Sequence, residues 1–61
     1  MSLDAFNKMF PPGTPVMYTD DFGSKEETAT RSIARDVCGT AVVQLEGKAG
    51  CYDIDRISSL N

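Results

Sequence analysis

The side chains with the most chemical potential sit in one stretch, Thr30-Arg31-Ser32 with Arg35. Guanidinium forks beside hydroxyls are the groups that hold phosphate or carboxylate, so Arg31, Ser32 and Arg35 form a candidate anion cradle. The plainer expectation is that these arginines pair with Glu26, Glu27 or Asp36, at about 0–1 kcal/mol per exposed pair. Asp53 and Asp55 project from one side of their run, and Asp20 with Asp21 could bring further oxygen ligands for a hard cation. No calcium-loop spacing accompanies them, so solvated carboxylates are expected and no metal is assigned. Cys38 and Cys51 have no sequence-adjacent group that would activate a thiol, only nearby acids, so a reactive cysteine is not expected. The chain has no histidine, which removes the imidazole base of hydrolytic triads and the imidazole ligands of most zinc sites. The residues therefore predict a non-catalytic protein with no cofactor.

Sixty-one residues make one domain at most. A chain this short buries only about 60% of the surface its unfolded form exposes, so a thin core is expected. Its apolar and charged fractions, 41% and 25%, are those of a chain that folds rather than one that stays disordered. Nine acidic residues against six basic ones give a net charge of −3, which disfavours simple binding to a phosphate backbone. A protein partner is the leading expectation. The alternative is a nucleic-acid-associated domain using Arg31, Arg35, Lys25, Lys48 and Arg56. No apolar run approaches the roughly 18 residues of a membrane span, and Met1-Ser2-Leu3-Asp4 lacks the basic and apolar regions of a secretory leader. Neither a membrane association nor an export route is expected, and the cytoplasm is the default compartment.

Positioning these groups falls to short elements. Leu3, Phe6, Met9 and Phe10 recur at helical spacing after Ser2, a potential N-cap, and Pro11-Pro12-Gly13 ends the helix. So short a helix needs its apolar stripe docked, either as a lid on its own core or as an arm on a partner. Thr14 to Thr19 alternates, with Val16 and Tyr18 on one face, and predicts a first strand followed by a loop, Thr19 to Ser24. Residues 24–38 carry two readings. Ser24 with Glu27, and Ala29, Ile33 and Val37 four apart, suit a helix, whereas Thr28, Thr30 and Ser32 suit a strand.

The C-terminal half reads as a hairpin. Thr40 to Glu46 alternates, Gly47-Lys48-Ala49-Gly50 turns, and Cys51 to Ile57 returns. Closing Glu46 against Cys51 sets Leu45 opposite Tyr52 and Val43 opposite Ile54 on one apolar face. Six strand steps of about 3.3 Å then separate the cysteines' ends of the strand, beyond the roughly 7 Å limit of a disulfide. Two free thiols are expected.

The runs Gly13-Thr14-Pro15-Val16-Met17-Tyr18, Thr30-Arg31-Ser32 with Ala34, and Ala41-Val42-Val43-Gln44-Leu45-Glu46-Gly47 with Gly50 resemble a group of short phage and actinobacterial proteins. Those proteins share a GTxVxY, TRSxA and VVxVEGxxG layout over about residues 13–57 and are mostly uncharacterised. The chain departs from them at Arg35, where an aromatic is usual, and in a shorter turn before Thr40. The resemblance implies an all-β fold, a small SH3-like barrel of four to five short antiparallel strands, with the TRSxA stretch as a strand. It also implies a phage or prophage setting and transfers no activity.

The expected division is an N-terminal arm, residues 1–12, and a barrel, residues 13–61. Val16, Ile33, Val43, Leu45, Tyr52, Ile54 and Ile57 are the expected core. Tyr18 and Phe22, with Arg31, Ser32 and Arg35, are the expected partner-binding residues, and the partner is expected to be a host or phage protein. The apolar arm and thin core also make a homodimer an expectation. An enzyme assembled by oligomerisation, as in type II dihydrofolate reductases, finds no matching active-site stretch here.

Overall fold

The Ser2 hydroxyl accepts a hydrogen bond from the Ala5 N–H, 3.2 Å, and so caps helix α1, Leu3–Met9. In this computed structural model, residues 2–60 are described; residues 1 and 61, the outer bounds of the expected arm and barrel, lie outside them. Seven residues cannot hold a helix in water alone. Helix α1 persists because Phe6 and Phe10 enter the core, their rings 4.9 Å apart. Asn7 adds a second tie. Its side-chain amide donates to the Ala34 carbonyl, 3.0 Å, and its oxygen accepts from the Ala34 N–H, 2.7 Å, as a neighbouring strand would. The helix is thus a lid on its own domain.

Strands β1, Pro15–Thr19, and β2, Lys25–Ala29, form an antiparallel hairpin with Thr19 opposite Lys25 and Pro15 opposite Ala29. Pro15 begins β1 before its other neighbour pairs at Met17, so no ladder bond is lost to the proline. The loop between the strands is built by Asp20. Its carboxylate accepts from the Phe22 and Ser24 N–H groups, both at 2.9 Å, while Gly23 takes a φ of +83° that suits glycine.

Residues 24–38 contain no helix. They form β2, an isolated bridge from Thr30 to Leu45, and strand β3, Arg35–Val37. Backbone pairing with β1 and with the following strand overrides the local helical signal. From Arg31 to Arg35 the chain alternates, with Arg31, Ile33 and Arg35 outward and Ala34 buried. The expected core position of Ile33 is therefore corrected: it is 59% exposed, and Ala34 fills the space beneath. The barrel reading turns Ile33 inward with Thr30-Arg31-Ser32 as a strand, but residues 31–34 are a bent connection, with Thr30 and Ala34 buried instead.

Strand β3 turns through Cys38-Gly39 into β4, Thr40–Val43, with Val37 opposite Thr40. Both turn residues have positive φ, 54° and 84°, the geometry of a tight two-residue hairpin turn. Cysteine tolerates that backbone poorly and asparagine well. Cys38→Asn should stabilise the domain by about 0.5–1 kcal/mol, read as a higher urea midpoint at unchanged slope. A lower midpoint would contradict the turn geometry.

The expected C-terminal hairpin exists, but its register is corrected by two residues. Strand β5, Tyr52–Asp53, sets Tyr52 opposite Val43 and Asp53 opposite Val42. An even shift keeps every side chain on its expected face. The cause is that residues 44–46 are drawn away from β5. The Gln44 carbonyl accepts from Arg31 N–H at 2.9 Å, and Glu46 N–H donates to the Ala29 carbonyl at 2.8 Å. A 3₁₀ turn, η1, Ile54–Arg56, then leads into β6, Ile57–Ser58, which pairs with β1.

The result is a small β-rich domain of two three-stranded antiparallel sheets, β2-β1-β6 and β3-β4-β5, with one α-helix among the described residues. Phe6, Phe10, Val16, Ala34, Val43, Leu45, Ile54 and Ile57 form its core, with Tyr18 and Tyr52 packed against it. No helix among the described residues is long and apolar enough to cross a membrane.

Candidate partner-binding surfaces

The β1–β2 loop lifts Phe22 into solvent, 93% exposed, on a backbone fixed by the Asp20 carboxylate. An ion pair between Asp21 and Arg56 ties the same loop to η1. Exposed single apolar residues are ordinary, but an aromatic held at the tip of an ordered loop is already in place to enter a pocket.

Below the loop, Tyr18 and Tyr52 meet edge to face across the two sheets, 5.1 Å between ring centroids. The Lys48 ammonium lies 5.3 Å from the Tyr18 ring centre and 6.0 Å from that of Tyr52. It also contacts the Glu26 carboxylate at 2.7 Å. The hydrogen bond to Glu26 holds the Lys48 pKa above its usual 10.5, partial desolvation opposing the shift. Gly47, at φ +73°, makes the turn that delivers Lys48 to this position. Tyr18 thus stands half-buried near the foot of the loop whose tip is Phe22.

Arg31 lies just beyond the other end of β2, and Arg35 begins β3. Lys25 is next to the loop, and five strand steps of about 3.3 Å lead from it to Thr30. Both guanidinium groups are exposed, and neither makes an ion pair among the described residues; Glu26 is taken by Lys48. Ser32 turns inward, its hydroxyl accepting from the Gln44 N–H at 3.3 Å. It replaces a backbone acceptor where the chain kinks between sheets. The five expected site residues thus divide into a loop end, Tyr18 and Phe22, and an arginine end, Arg31 and Arg35 with Ser32 beneath.

Lys48 and Tyr52, from one turn, and Glu26, from β2, complete the loop-end cluster, so no local spacing could have joined Glu26 to the other two. Asp53 is used structurally, its carboxylate capping η1 through the Asp55 N–H at 3.0 Å. Among the described residues no group of three carboxylates or thiols is placed to hold a metal, and no pocket is enclosed. Both cysteines are exposed and unbridged. No family model matches the chain, no curated protein matches it, and no solved structure matches it.

Proposed function

We propose that the chain is a small, non-catalytic interaction module of phage or prophage type that acts in the cytoplasm. Its partner is a host or phage protein, engaged through the β1–β2 loop. The observation that carries this reading is Phe22, held almost wholly in solvent on a loop braced by Asp20 and by the Asp21–Arg56 pair. Ordering the loop in advance lowers the entropic cost of binding through it. An SH3-like barrel is the architecture we propose for the module. What supports it is the order β3-β4-β5 followed by a 3₁₀ turn and a last strand returning to β1, with the Thr30–Leu45 bridge between the sheets.

Affinity capture from a lysogenic or infected host, washed at high salt, tests the reading. A discrete protein should be retained by the natural chain. The Phe22→Ser variant should bind it at least tenfold more weakly, as expected for an aromatic anchor worth about 2 kcal/mol. Recovery of nucleic acid alone, released as salt rises, would overturn the proposal. Equal retention by Phe22→Ser would also overturn it.

A further inference from the structure

Charge is unevenly distributed between the β1–β2 loop and the segment that follows β2. Residues 20–27 hold Asp20, Asp21, Glu26 and Glu27 against Lys25, with Asp21 paired to Arg56 and Glu26 to Lys48, whereas residues 31–37 hold Arg31 and Arg35 against Asp36 alone. The arginine end also carries apolar surface. Arg31, Ile33 and Arg35 point outward in turn, with Ile33 59% exposed and Val37 beyond it 45% exposed. This stripe is rigid, because Arg31 N–H donates to the Gln44 carbonyl and both backbone groups of Ala34 are held by Asn7. Its guanidinium groups have no carboxylate partner among the described residues. The opposite end presents an aromatic ring on a fixed loop, beside Asp20 and beside Asp21, which is paired with Arg56.

We propose that the stripe Arg31–Ile33–Arg35 is a docking surface for the Asp20–Ser24 loop of a second copy of this chain. The inference rests on the reading of Phe22 as an anchor and names a partner for it. In the contact, Phe22 of one copy lies on Ile33 of the next, between the two arginines. A bend at Ser32 brings their Cα atoms closer than the about 14 Å of extended chain, so that they flank Ile33 on either side. Each guanidinium can face the ring, a geometry worth about 0.5–2 kcal/mol, while Asp20 adds a negative charge beside it. The surfaces are small, so the association is weak and reversible, as for interfaces burying under about 1,200 Å² in total. A nucleic acid would use the arginines but leave Ile33 and Val37 uncovered, and the remaining acids would repel it.

Sedimentation equilibrium of the full chain from micromolar to millimolar concentration reads the contact directly. Mass should rise with concentration, and the rise should shrink as salt screens the arginines. Phe22→Ser alone and the double variant Arg31→Glu/Arg35→Glu should each stay monomeric at concentrations where the natural chain associates. These positions are exposed, and amide NMR spectra check that each variant remains folded. Mixed one to one, the two variants should form a dimer and nothing larger, because one retains the stripe and the other the loop. A natural chain that is monomeric throughout, association untouched by either variant, or a mixture that stays monomeric would each overturn the inference. A host protein captured through Phe22 by a chain that never self-associates would overturn this inference and leave the interaction-module reading standing.

Discussion

Replacing Phe6 by alanine is expected to abolish cooperative unfolding of the domain at room temperature. Phe6 is wholly buried, and it belongs to the core cluster that also holds Phe10 and Val16. Truncating a buried phenylalanine costs about 3–5 kcal/mol, from lost transfer energy and from the cavity left behind. At roughly 0.05–0.15 kcal/mol per residue, a domain of this size has a total stability of about 3–9 kcal/mol. The two quantities are comparable, so the variant sits near or past its midpoint in water. Circular dichroism during urea titration would show a baseline already sloping at zero denaturant. A sharp transition displaced by less than about 1 kcal/mol would mean instead that α1 is a peripheral arm.

Thr30→Val is expected to be the next most damaging change, although valine matches the shape of threonine. Thr30 is wholly buried where the two sheets join. Its hydroxyl donates to the Pro11 carbonyl at 2.8 Å and accepts from the Thr14 N–H at 3.1 Å. Its backbone also receives the Gly13 N–H, so one residue anchors the whole link between α1 and β1. Removing the hydroxyl loses two hydrogen bonds to part-buried groups, each worth about 0.5–1.5 kcal/mol. Thr30→Ser keeps the hydroxyl and gives up one methyl, about 0.8 kcal/mol. Valine should therefore be the worse substitute, measured as the larger drop in urea midpoint. The reverse order would show that packing, and not hydrogen bonding, holds this junction.

Both changes act on contacts between segments distant in the chain, and the same distinction governs what the chain disclosed on inspection. The core positions Val16, Val43, Leu45 and Ile54 follow from alternation, set locally by the two-residue period, whereas Ile57, three residues beyond Ile54, is turned inward by η1. The absence of a disulfide follows as well, from the reach of an extended strand. The alternation of small inward and large outward residues from Thr30 to Arg35 was also present. The barrel reading nevertheless counts Ile33 as core, and only the bend at Ser32 in the folded chain turns it outward. Phe22 could be assigned to a loop from its turn-forming neighbours, but its exposure depends on how Asp20 folds that loop.

Composition and periodicity determined that this is one small β-rich chain, which faces of its strands are apolar, and that imidazole chemistry is absent. Tertiary structure alone decided the hairpin register, the docking of α1 through Asn7, and the separation of Phe22 from Arg31 and Arg35. The reason is that residues 44–46 can pair either with β5 or with residues 29–31, and local preference does not distinguish the two. Only the assembled core, with Leu45 buried against it, selects the second pairing.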